Sequence, residues 1–133
     1  MKESADFAGR KMLETLAAVK DLLRNHSIAM DRLSNVNHSI DALEVMPYNP
    51  GPVLEGYVEA EMQDGSALSW LLEATWDDEG WQIEASVVRT TRDTQETLQE
   101  LPPETLPSFD QFTERLVAVT KELLAIRIAI LDS

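Results

Sequence analysis

The chain is predicted to be an α+β two-layer sandwich: an N-terminal helix or helix pair, a three-stranded antiparallel β-meander, and a long C-terminal helix packed on one sheet face. Three observations predict it. Apolar residues recur at 3–4 spacing near both ends of the chain, strict period-2 alternation runs through the middle, and turn residues separate the alternating runs. A length of 133 residues suits one domain, with 4–44 helical, 53–91 forming the sheet and 108–131 the last helix.

In the first segment Met12, Leu16, Val19, Leu23, Met30, Leu33 and Ile40 fall on one helical stripe. His26 and Asn37 interrupt it. Asn25-His26-Ser27 and Ser34-Asn35-Val36-Asn37 have weak helix propensity, so a break is expected near one of them, with Ser27 or Ser39 capping a second helix. Met46 to Pro52 contains three prolines and reads as a connector.

Two turns set the register of the sheet. Gln63-Asp64-Gly65 suits a three-residue hairpin loop with Gly65 left-handed, pairing Met62 with Ser66. Asp77 to Gly80 suits a four-residue loop pairing Trp76 with Trp81. One face then carries Leu54, Val58, Ala60, Leu68, Trp70, Leu72, Ala74, Trp76, Trp81, Ile83, Ala85 and Val87. The other carries Glu55, Tyr57, Glu59, Glu61, Leu71, Glu73, Thr75, Gln82, Glu84, Ser86 and Val88.

Residues 92–107 are polar and hold Pro102, Pro103 and Pro107, which predicts a loop with at most a helical turn. Ser108 with Gln111 forms a capping box that opens the last helix, and Phe109, Phe112, Leu116, Val119, Leu123, Ile126 and Ile130 give its stripe. Val117, Leu124, Ile128 and Leu131 lie off that stripe. Either the N-terminal helix covers this second apolar side or another subunit does, and a homodimer through these four residues is the favoured expectation.

Charge is unevenly placed. Of the net −13, the stretch 53–91 carries −8, from nine acids and the single base Arg89. Net negative charge argues against nucleic acid and against anionic membrane surfaces. The most apolar run, Leu123 to Leu131, is broken by Arg127 and falls well short of the ~20 residues of a membrane span. Met1 to Lys11 has no apolar run of the kind a secretory signal needs. There is no cysteine, which removes thiol chemistry and Cys-based zinc sites and suits a reducing, cytoplasmic setting.

The register puts Glu55 opposite Glu73, and Glu73 opposite Glu84. Like charges so opposed destabilise a sheet by ~0.2–1 kcal/mol per pair. The plainest reading is a solvated face on an acidic protein that tolerates this repulsion. The functional reading is a docking surface for lysine and arginine of a basic protein, made by Glu55, Glu59, Glu61, Glu73 and Glu84 with Tyr57 and Leu71 as an apolar anchor.

No catalytic constellation accompanies it. His26 and His38 are the only histidines, no nucleophile elbow or phosphate loop occurs, and Asp77-Asp78-Glu79-Gly80 lacks the ligand spacing of a calcium loop. The expectation is a non-enzymatic binder with no metal and no cofactor. The alternative is a small-ligand or enzymatic domain using a pocket lined by Trp70, Trp76 and Trp81. In size, acidity and layer order the chain is similar to immunity proteins that neutralise a toxin, and to dedicated secretion chaperones. The chaperones usually carry two further strands after the sheet-flanking helix, and the sequence shows none.

Overall fold

The computed structural model describes residues 2–46, 53–77 and 79–132, and the Pro-rich connector and Asp78 lie outside the described residues. The chain runs α1 (Lys2–Asp31), β1 (Val36–Met46), β2 (Val53–Met62), β3 (Ala67–Asp77), β4 (Gly80–Thr90), β5 (Gln95–Glu100), β6 (Glu104–Leu106), α2 (Phe109–Leu124) and a short 3₁₀ turn, Ala129–Asp132. The strands form one antiparallel sheet in the order β1-β2-β3-β4-β5, with β6 also pairing β4. Both helices pack on the same sheet face: α1 over β1 and β2, α2 over β3, β4 and β6, and the helices against each other. The class is α+β, but the sheet is larger than the three-stranded meander expected.

One helix, not two, opens the chain. It runs unbroken through Asn25-His26-Ser27, because tertiary contacts outweigh the weak propensity there. Ser27 is buried and shares a 2.7 Å hydroxyl contact with Ser39, whose Oγ donates to the Ser27 carbonyl oxygen at 2.6 Å. The Ser39 N–H donates to Asp31 Oδ1 at 2.7 Å, so the last turn of α1 clasps β1. The break comes at the second weak segment. After it, 36–46 is a strand and not the helix expected, and Ile40, assigned to the helical stripe, is 47% exposed.

The central register is as the turns require. Met62 N–H donates to the Ser66 carbonyl, and Gly65 sits at φ +89°. Trp76 pairs with Trp81, and the ladder continues one pair further, to Asp77 and Gly80, so the turn is shorter than four residues. Gly80 has φ +122°, and a Cβ there would lie 2.6 Å from the Leu106 carbonyl oxygen. Only glycine fits between this turn and β6.

The helix-side face buries Leu54, Val58, Ala60, Leu68, Trp70, Leu72, Ala74, Ile83, Ala85 and Val87 against Val19, Leu23, Phe112, Leu116 and Leu123. Trp70 is fully buried with the His26 ring edge-on to it at 4.6 Å, and Trp81 stacks on Phe112 at 4.1 Å. Trp76 departs from the expected core and is 41% exposed.

Residues 92–107 are not a loop: they supply β5 and β6. Every residue of β5 is exposed, so its sequence has no apolar alternation to read. It is held by main-chain pairing to β4. Glu104 on β6 forms a two-pronged ion pair with Arg115 of α2 (2.7 and 2.8 Å), which ties that short strand to the helix.

The C-terminal helix starts at the expected N-cap, with Ser108 Oγ accepting from the Gln111 N–H, but stops at Leu124 instead of 131. The chain then folds back, burying Ile128, and Asn35 Nδ2 donates to the Ile130 carbonyl at 2.6 Å. Ile126 and Ile128, both β-branched, disfavour more α-helix ahead of the 3₁₀ turn.

Candidate functional site

The sheet face away from the helices is solvent-facing, and the register assigns its residues. Glu44 of β1 lies opposite Glu55 of β2, Glu55 opposite Glu73 of β3, and Glu73 opposite Glu84 of β4. This row of carboxylates crosses four strands. Beside it runs a second row, Ala42, Tyr57, Leu71, Ser86 and Glu100, and beyond that Ile40, Glu59, Ser69 and Val88. His38 and Glu61 close the far end, with His38 Nε2 3.4 Å from the Glu61 carboxylate.

Alternation on five strands therefore places Glu44, Glu55, Glu59, Glu61, Glu73, Glu84 and Glu100 outward. Among the described residues of that face there is no lysine or arginine. Arg89, the one lysine or arginine in the six strands, is on the helix side, opposite buried Leu68, and bonds Asp64 in the β2–β3 turn at 2.9 Å. The positive charge of this region is thus turned away from the acidic face.

Glu73 is the centre of the row. Partial burial, then the charges of Glu55 and Glu84, push its carboxyl above the ordinary value of 4.5. Around it the face is concave: a depression of about 300 Å³ is lined by Glu55, Tyr57, Leu71, Glu73, Glu84, Ser86 and Glu100. Beside it β4 changes partners, from β6 at Trp81–Ile83 to β5 at Ser86–Thr90, with the Leu101 N–H bonded to the Ala85 carbonyl between them.

Five of the residues singled out from the sequence, Glu55, Tyr57, Leu71, Glu73 and Glu84, line that depression; Glu59 and Glu61 lie on the same face outside it. Glu44 and Glu100 were missed. Glu44 was hidden by the helical reading of 36–44. Glu100 belongs to a strand without buried residues, and no signal in the sequence marks it.

The other expected sites fare differently. Ile128 is 7% exposed and part of the core, while Val117, Leu124 and Leu131 are half-buried against it. The second apolar side of α2 is thus partly covered within the chain, where α1 packs against α2. Beside Trp81 an apolar hollow lined by Met12, Leu16, Val45, Leu54, Trp81 and Phe112 measures about 70 Å³. Pockets for small ligands start near ~300 Å³. His26, on α1, sets its ring edge-on against Trp70, whereas His38 stands on the outward face. Among the described residues, no group of three or more His, Asp or Glu converges as metal ligands, and no helix is long and apolar enough to cross a membrane.

No family model matches the chain, and no curated protein or solved structure is significantly similar to it.

Proposed function

We propose that the protein is a non-enzymatic binder whose outward sheet face docks on a basic protein and masks its cationic surface. The observation that carries this reading is the single sign of the face: seven outward glutamates, four of them directly opposed across neighbouring strands, with the local arginine turned inward. Opposed like charges cost stability in the free chain. A cationic partner converts that cost into attraction, and the field of the face steers the encounter. Tyr57 and Leu71 add an apolar patch within the charged area, the usual composition of an interface centre.

In this reading the chain works in the cytoplasm as a neutraliser, in the manner of an immunity protein or a secretion chaperone. The tryptophan-lined pocket is not part of it, because the hollow beside Trp81 is too small and Trp70 is sealed in the core. A homodimer through Val117, Leu124, Ile128 and Leu131 is not required in this reading, because all four pack at least partly against the chain's own core.

The test is affinity capture from the native host at low and high salt, comparing the wild type with the triple variant Glu55→Lys, Glu73→Lys, Glu84→Lys. A basic protein that elutes with salt and is absent from the variant is the expected result. A partner held equally by the triple variant, with the variant still folded, would overturn the reading.

A further inference from the structure

The depression at the centre of the acidic face differs in kind from the rest of it. One side of it is the row of Tyr57 and Leu71, which are direct cross-strand neighbours, continued by Ser86 and Glu100. The other side is the row of Glu55, Glu73 and Glu84, with Gly56, Leu72 and Ala85 between the two rows. A lysine ammonium is a compact, strongly hydrated charge, and setting it against a tyrosine–leucine surface strips water from it at a cost. A guanidinium is planar and weakly hydrated. It stacks on aromatic and aliphatic surface while its in-plane N–H groups fork toward carboxylates at its edge. An apolar side facing a row of carboxylates is complementary to that shape and not to a sphere of charge. A volume of about 300 Å³ suits an inserted side chain better than a large cofactor.

We propose that this depression is an arginine socket: it receives an arginine side chain of the basic partner, with Tyr57 and Leu71 against the guanidinium plane and Glu73 and Glu84 accepting its N–H groups. The inference rests on the docking reading and specifies which cation that surface takes. The carboxylates supply attraction for either base, and the Tyr57–Leu71 side supplies the choice between them. Insertion also places a positive charge inside the Glu55–Glu73–Glu84 row, where mutual repulsion in the free chain is concentrated.

Two probes of equal formal charge separate the socket from simple charge attraction. The ¹⁵N-labelled full chain is titrated with nona-arginine and with nona-lysine, following the amides of Tyr57, Leu71, Glu73 and Ser86. The expected result is tighter binding of nona-arginine by roughly fivefold or more, with the largest shifts at those four amides. Tyr57→Leu keeps apolar bulk without a ring face and should bring the two peptides close to equal affinity. Tyr57→Phe should keep the preference. Equal affinity of the wild type for both peptides, with shifts along the glutamate row, removes the socket and leaves the docking reading standing. A preference for arginine that survives Tyr57→Leu also removes the socket. If neither peptide perturbs the row, the socket and the docking face fall together.

Discussion

Glu44 on β1 lies directly opposite Glu55 on β2, so the carboxylate row begins at the open edge of the sheet and not one strand in. The edge position matters because a partner can approach the row from the side as well as from above. It also means that the repulsion along the row is relieved at neither neighbour of Glu55, since Glu73 faces it from the other side.

Replacing Glu73 by Gln should stabilise the free protein at neutral pH by roughly 1 kcal/mol, from two opposed like-charge pairs. Its carboxyl is held above 4.5, so the wild-type deficit is full above that raised native value and vanishes below 4.5, where folded and unfolded carboxyls are both protonated. Urea unfolding of both proteins at several pH values checks this. A destabilised Glu73→Gln at pH 7 would contradict it.

His26 makes an opposite demand on pH. Burial lowers it from 6.5 to about 4, and its Nε2 is buried without a hydrogen-bond partner. The unfolded chain therefore binds a proton that the native chain resists. Stability should fall as the pH drops from 6.5 toward 4, by ~2 kcal/mol after allowance for partial solvent screening. The loss should be smaller by that amount in His26→Leu, which keeps the carboxylates and removes the imidazole. Denaturation midpoints at pH 7 and pH 4.5 for both proteins give the difference directly.

Gly80→Ala should cost about 1–3 kcal/mol. The backbone there is left-handed, and the added methyl would meet the Leu106 carbonyl at 2.6 Å. Thermal unfolding measures the loss, and faster amide exchange at Trp81 and Ile83 would locate it in the β4–β6 pairing. Gly65→Ala has open space around its Cβ and pays only for φ +89°, so it should be the milder of the two.

Arg115→Met should loosen β6 from α2. The guanidinium forks onto Glu104 at 2.7 and 2.8 Å and reaches Glu122 at 3.5 Å. The pair is partly exposed, so the expected loss is only ~0.5–1 kcal/mol. Exchange protection at Thr105 should fall more than protection in β2 or β3. Uniform loss across the sheet would show that the ion pair does not act locally.

The legible part of the fold was the part with a buried face. From Leu54 to Val87 alternate residues enter the core, and the two turns hold their register, so cross-strand neighbours such as Glu73 and Glu84 could be paired from spacing alone. β1 and β5 had no such signal. In β1 the helix-side positions include Ser39 and Asp41, and the outward ones include Ile40, so its alternation is blurred. In β5 nothing is buried at all.

The amino-acid sequence by itself determined the α+β class, the outward glutamates of β2, β3 and β4, and the capped start of α2, because each depends on a local period or a turn within a few residues. Tertiary structure alone decided that α1 continues past His26, that 36–46 is a strand, and that Glu44 and Glu100 join the acidic face. Those outcomes rest on contacts distant in sequence: Ser27 with Ser39, Asn35 with Ile130, and β5 with the free edge of β4. A short window of residues carries no trace of a partner that far along the chain.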